Sequence, residues 1–371
     1  MTIGNDYQRG LTLLELLVAI TLGLAVVTGT IQIYLGTSQT YRVQEAQSRI
    51  QENGRYALEV LNREIRMAGF TGCKRGNPVA NVLNNAGSDW WSDFPNRSFQ
   101  GYAGNDANFP ARSFGSSSGD RVLGTEAIII VGGGGQGYSI SDTPPHNVDS
   151  AQFKLNDLHN LSNGDIVLIC DQTQTSIMQI TNVNQNNVTI VHNTGSSESP
   201  GNCTKYLGSP VDCSASPVVH TPHKYGSEAN MIDFNPTAFY IGVNVSGDST
   251  SLYRVRLSNS SGNMSPAAQE LIEHVEDMHI LYGVDNNNDG RVDNYVLATD
   301  VTNWSRVITV RLNLLLVSPP NTRVIHEAQT VFFPPEGFDN GNLVSGMPLT
   351  FNDGRLRQVF STTIGIRNRL L

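Results

Sequence analysis

Charge is scarce in this chain. Only 15 % of its 371 residues are Asp, Glu, Lys or Arg, whereas Gly, Asn, Ser and Thr abound. That mix disfavours a helical enzyme and suits β-strands joined by long polar loops. Basic charge is the scarcer sign. The net charge of -9 repels phosphate backbones and argues against a general nucleic-acid binder. Cysteine is limited to Cys73, Cys170, Cys203 and Cys213, and no two of them form a Cys-x-x-Cys pair. No internal repeat is evident, and no nucleophile–base set stands out, so an enzyme is not expected. The length corresponds to two or three structural units.

What the sequence does have is one long apolar run. From Leu11 to Ile31 it carries a single charge, Glu15. Its length matches the roughly 20 residues that cross a hydrocarbon core of about 30 Å. A cleaved secretory signal is the rival reading, but no Ala-x-Ala site follows, and the helical pattern continues without proline to about Ala68. The segment therefore reads as retained. An acid within it costs roughly 2.5–3.5 kcal/mol at the centre of a membrane helix, less near an end, and calls for a partner. Cutting after Gly10 would set a new α-amine at Leu11, with Glu15 four residues on. A helix N-terminus favours such a negative charge, and a neighbouring subunit's amine could complete the pairing.

The stretch "RGLTLLELLVAI" resembles the type III signal of type IV prepilins: a short polar leader, Gly at the cut, an apolar first residue and an acid four residues later. Leu11 departs from the commoner Phe, and Asp6 makes the leader less basic than usual. The resemblance implies that a prepilin peptidase cuts between Gly10 and Leu11 and N-methylates Leu11, and that Glu15 sets subunit registration in a helical fibre.

After Ile31 the pattern turns amphipathic. Val43, Ala46, Ile50, Ala57, Leu61, Ile65 and Ala68 recur at helical spacing. Charges alternate between them, with Glu45–Arg49 and Glu59–Arg63 as i,i+4 pairs worth a few tenths of a kcal/mol each. Most of these charges read as a solvated face. The apolar stripe predicts docking on a globular head. The segment "RIQENGRYALEVLNREIRMAGFTGC" resembles the corresponding helix and exit of PilW-type minor pilins. The expected architecture is therefore α+β, a type IV pilin-like lollipop. Its expected parts are a leader (1–10), a membrane-spanning half-helix (11–32), an amphipathic half-helix (33–68) and a β-rich periplasmic or extracellular head (69–371).

In the head, residues 77–119 read as loop, with the aromatics of "NNAGSDWWSDFPNRSF" packing that loop onto the domain rather than forming an adhesive patch. Strands are expected at Glu126–Val131, Ile166–Cys170, Ser176–Thr181, Val188–His192, Ala238–Val245, Ser251–Leu257, His279–Val284, Asp293–Ala298, Val307–Val317 and Arg323–Phe332. One helix is expected over "SPAAQELIEHVEDM", capped by Ser265, with Pro266 at its first position and Leu271, Ile272, Val275 and Met278 on its apolar face.

Four motifs are candidates for chemistry. "DNNNDGRVD" aligns Asp285, Asn287, Asp289, the Arg291 carbonyl and Asp293 as oxygen ligands, like the first nine positions of an EF-hand loop. This is an expected site for Ca2+ or a similar hard cation, although Val296 stands where a bidentate Glu would complete the shell. The alternative is an Asn-rich turn between strands. "GGGGQG", Gly132–Gly137, satisfies a dinucleotide-binding spacing but is followed by "YSISDTPPH", which cannot form the required helix, so a flexible loop is expected. "GSSSG", Gly115–Gly119, lacks the strand and helix of a nucleophile elbow. Cys203, Cys213, His220 and His223 are too loosely spaced for a zinc knuckle. Four cysteines allow three pairings. A local Cys203–Cys213 disulfide is preferred, which leaves Cys73–Cys170. Buried free thiols are the alternative.

The PilW-type resemblance implies a structural role. Such a minor pilin assembles with other minor pilins into the initiation and tip complex of a type IV pilus, supporting pilus biogenesis, twitching motility and adhesion. Its implied partners are the major pilin, other minor pilins, a PilY-type tip adhesin, the prepilin peptidase and the inner membrane. The alternatives are a minor pseudopilin of a type II secretion system and a DNA-uptake pilin. The net charge speaks against the latter, and the cluster Arg355, Arg357, Arg367 and Arg369 speaks for it.

Overall fold

The computed structural model describes residues 12–369, apart from positions 95, 187, 196, 321, 323, 326, 340 and 341, and the backbone alone over 336–345. A single α-helix, Leu13–Arg66, runs for 54 residues, about 81 Å at 1.5 Å per residue. No residue of it before Ala46 is buried. Beyond that point Ala46, Ile50, Gly54, Ala57, Leu61, Glu64 and Ile65 are buried, stepping by three and four along one face. This is the stripe read from the sequence, except that Val43 is only half-buried, with two additions.

Gly54 is the first. A β-carbon there would lie 2.4 Å from the ring of Phe360, so the missing side chain is the notch that seats a strand on the helix. Gly54→Leu is expected to destabilise the head by about 1–3 kcal/mol through overpacking. Urea unfolding followed by near-ultraviolet circular dichroism checks it, and an unchanged midpoint would show that the seat is not tight. Glu64 is the second. Its carboxylate is buried and pairs with Arg256 of strand Thr250–Ser260. This charge therefore departs from the solvated face expected of its neighbours.

Three sheets stack behind the helix. The first has the order Asn294–Val296, Val275–Val284, Val307–Val317, Arg357–Gly365, all antiparallel, and the helix packs along its last two strands. The second runs Asn263–Glu273, Thr250–Ser260, Thr237–Val243, Ala127–Ile130, Phe99–Tyr102, again antiparallel. The third runs Val79–Asn81, Thr175–Gln179, Ile166–Cys170, Asn230–Phe234, Gly133–Ser139, with only its first pair parallel. A small sheet of Gln152–Lys154, Thr189–Val191 and Asn182–Asn184 covers the far side.

The two-residue period of a strand distributes the core. Ile128 and Ile130 face the helix-side cluster, while Ala127 and Ile129 face the cluster shared with the third sheet. Leu168 and Val167 divide the third sheet's faces in the same way. Trp90, Trp91 and Phe94 are buried in the middle cluster, so these loop aromatics pack the domain. Glu126 joins the first two sheets. It accepts from the Ile280 N–H at 2.7 Å and lies 3.0 Å from His279 Nδ1.

The α+β lollipop is observed, with three corrections. Residues 77–119, expected as loop, contribute Val79–Asn81 to the third sheet and Phe99–Tyr102 to the second. The segment expected as a helix, 265–278, is strand. It forms Asn263–Glu273 in the second sheet and then enters Val275–Val284 in the first. His274, at φ 64°, is the pivot between them. The apolar spacing that suggested a helix lies at one end of the segment, where Ile272, Val275 and Met278 reach the core. The strand sits at a sheet edge, where the missing N–H of Pro266 disrupts little. The glycine run also folds otherwise than expected. Gly133–Ser139 is an edge strand paired with Asn230–Phe234, and a β-carbon at Gly133 would press to 2.3 Å on Ile232. Of the last expected strand, Arg323 lies outside the described residues, and pairing begins at Gln329.

Candidate functional site

Gly10 and Leu11 lie outside the described residues. Thr12 is the N-cap of the helix, and here the structure adds something the sequence reading missed. Thr12 and Glu15 form a reciprocal capping box. The Glu15 N–H donates to Thr12 Oγ1 at 3.3 Å, and the Thr12 N–H donates back to Glu15 Oε2 at 3.3 Å. The Thr-x-x-Glu spacing was the available signal. Within a single chain, the exposed acid has a local partner of modest strength. From Leu13 to Leu35 the helix presents exposed Leu, Ile and Val all round. This half of the helix is long and apolar enough to cross a membrane.

The upper end of the helix is fixed by backbone hydrogen bonds. Gly69 donates to Val131, Gly133 to Phe70, and Arg367 to Arg66. Asn368 Nδ2 reaches the Ala68 carbonyl at 3.2 Å. Just beyond lies a disulfide, Cys73–Cys170, with Cys170 fully buried on its strand, and Cys203–Cys213 closes a separate loop.

The acidic loop uses its own ligands. Asp285 is buried and accepts from Asn288 N–H at 2.6 Å and Gly290 N–H at 2.9 Å. Burial pushes its carboxyl up, but these N–H groups, with that of Asp289, outweigh the push and hold it below the ordinary range. Asp293 accepts from Asn286 N–H at 2.7 Å, and Asp289 from Arg291 N–H at 2.9 Å. Asn287, Asp289, Arg291 and Asp293 are exposed. The donor set is all oxygen, which suits a hard cation. Among the described residues, no three His, Cys, Asp or Glu side chains converge as metal ligands would.

The carboxyl-terminal arginines do not form one open patch. Arg357 is buried between Glu276 and Asp353, and its hydrogen bonds hold the Asp353 carboxyl down to about 2. Arg355 donates to the Ser318 carbonyl at 2.7 Å. Arg369 reaches the carbonyls of Trp304 and Val307, and burial lowers it to about 10. Arg367 is exposed.

Comparison with known proteins adds two findings. Residues 238–368 match the family "Type IV Pilus-assembly protein W", PilW. The chain carries a PilW-family domain. Residues 5–31 match the "Prokaryotic N-terminal methylation motif", which places a prepilin signal on the apolar segment. No curated protein and no solved structure matches the chain. The PilW-family domain covers about a third of the residues. It contains the whole first sheet and the strands from Thr237 to Glu273 of the second. The third sheet, the small sheet and all four cysteines lie between the two matches. Together the motif, the exposed apolar half-helix and the domain are consistent with a type IV pilin-like protein.

Proposed function

We propose that the protein is a minor pilin of the PilW type. In this reading it is a single-pass inner-membrane protein with a periplasmic head, and it joins other minor pilins in the initiation and tip complex of a type IV pilus. There it would support the major pilin, a PilY-type adhesin, twitching motility and adhesion. The observation that carries the reading is one continuous helix. Its bare apolar half bears the methylation motif, and its other half is built into a head containing the PilW-family domain.

A prepilin peptidase would cut between Gly10 and Leu11 and methylate Leu11. Glu15 would then exchange its weak Thr12 contact for a neighbour's terminal amine. Mass spectrometry of membrane-purified protein tests this. Loss of residues 1–10 with one methyl on Leu11 is expected, and an intact Met1 or a cut downstream of Ile31 would refute it. Glu15→Ala is expected to abolish co-purification with companion pilins while leaving the head folded.

A type II secretion pseudopilin is the nearest alternative. Deletion would then abolish exoprotein secretion rather than twitching. A DNA-uptake role draws less support, because Arg355, Arg357 and Arg369 are engaged inside the head. Calcium at the acidic loop is a separate proposal, with Asp285, Asn287, Asp289, Asp293 and the Arg291 carbonyl as its ligands. Titration calorimetry should show saturable Ca2+ binding that Asp289→Ala removes, and no heat at millimolar Ca2+ would end it.

A further inference from the structure

Three of the exposed apolar side chains of the head, Val245, Phe332 and Met347, lie at one end of it. Strand Arg357–Gly365 runs alongside the helix in the same direction, with Phe360 at Gly54 and Arg367 at Arg66. Arg357 therefore marks the end of the head nearest the bare apolar half-helix. At that end Gln329 makes two hydrogen bonds with the Arg357 backbone, each 2.8 Å. From it leaves a two-stranded ribbon, Gln329–Phe332 paired with Pro348–Phe351. Phe332 and Met347 on this ribbon are 55 % and 71 % exposed. Val245, 71 % exposed, lies in a turn at the same end, where Asn53 reaches the Glu273 carbonyl and His274 donates to Thr250. An isolated two-stranded ribbon is marginal in water and gains from a cover.

The head first meets the helix near Ala46, eleven residues or about 16 Å beyond Leu35, the last of the exposed aliphatic run. A headgroup layer takes up roughly 5–7 Å of that on each side of a bilayer. A gap of roughly 10 Å remains if the helix stands straight. The intervening neck is Gly36-Thr37-Ser38-Gln39-Thr40. All five residues are weaker helix formers than Ala, and nothing packs on Gly36. Thr40 Oγ1 donates to the Gly36 carbonyl at 2.9 Å, a back-bond of the kind that bends helices.

Building on the membrane-anchored reading, we propose that the neck bends and that the unassembled head leans on the bilayer, seating Phe332, Met347 and Val245 against the lipid headgroups. The occupant is the lipid surface because this end of the head faces the span and the chain itself tethers it there.

All four cysteines are in disulfides, so one introduced thiol gives a single labelling site. Full-length protein in nanodiscs would carry an environment-sensitive dye at Met347→Cys, Tyr34→Cys or Leu158→Cys, with spin-labelled lipid as quencher. Quenching is expected at positions 34 and 347 and not at 158. In Gly36→Ala/Thr40→Ala, which stiffens the neck, quenching at 347 should fall several-fold while that at 34 holds. Quenching at 34 alone would overturn the lean and leave the anchor standing. Loss at both would remove the anchor and the lean together. A dye at 347 shielded only when another pilin-like head is added would assign the ribbon to a protein partner instead. Undiminished quenching at 347 in the stiffened neck would overturn the bend.

Discussion

Replacing Cys73 and Cys170 together by serine is expected to destabilise the head by about 4–5 kcal/mol. The bridge spans 97 residues of chain. In the chain-entropy account, opening a loop of that length returns about 4.7 kcal/mol of freedom to the unfolded state, against about 3 kcal/mol for a loop the size of Cys203–Cys213. Its position sharpens the expectation. Cys73 follows the helix exit, and Cys170 is a fully buried residue of the third sheet, packed beneath Gly72. The bond therefore ties the stalk to the part of the head that lies outside the PilW-family domain. An oxidising compartment would keep it formed. Urea midpoints for the two double-serine variants check this. By the difference in loop length, the Cys73/Cys170 variant should be the less stable by about 2 kcal/mol. Equal midpoints, or a reversed order, would show that the third sheet holds to the stalk without the bond.

The stalk was legible in the sequence because its signals are local. An apolar run with one acid, then a three-and-four spacing over a stretch without proline, leaves little for distant contacts to decide. The two surprises on it, Gly54 and Glu64, depend on partners far along the chain, Phe360 and Arg256. The strands of the first sheet were legible because long alternating or continuous apolar runs such as Val307–Val317 admit few readings. The failures came where tertiary context overrides local preference. "SPAAQELIEHVEDM" has fair helix propensity, but its first half pairs along Thr250–Ser260 and its second half is needed by another sheet. A glycine-rich strand has no side-chain pattern to read at all. At the candidate site, the signal residues could be named from spacing alone. Nothing local revealed that Asp285 would turn inward, or that three of the four carboxyl-terminal arginines would be used inside the head.

Acid should loosen the far side of the head first. His146 and His192 stack against Phe153, with ring centroids 4.2 and 5.2 Å from it. His192 is fully buried, and neither ring nitrogen has a hydrogen-bond partner among the described residues. His146 accepts from the Tyr225 N–H at 3.2 Å, a bond that protonation at that nitrogen would remove. Burial, then the neighbouring His223 and Lys224, lower His146 from 6.5 to about 4. Burial, then His146, lower His192 to about 3. Both imidazoles therefore bind protons more readily in the unfolded chain. Their contribution is complete above pH 6.5 and is lost as pH falls toward 4, at about 1.4 kcal/mol per pH unit for each. Asp277 acts in the opposite direction, because burial raises it to about 7 and the fold favours its protonated form over the same range. For these three groups the net loss between pH 6.5 and 4.5 is about 3 kcal/mol, close to that of one histidine, and His159 and His274, also lowered by burial, act in the same direction as the two imidazoles. His192→Phe keeps the stack on Phe153 and removes one titration. Its urea midpoints should convert to a stability that varies less steeply with pH, by about 1.4 kcal/mol per unit. Hydrogen exchange should show strands Gln152–Lys154 and Thr189–Val191 losing protection at pH 4.5 before Val307–Val317 does. A His192→Phe variant as acid-sensitive as the parent would mean that these rings find water without the strands parting.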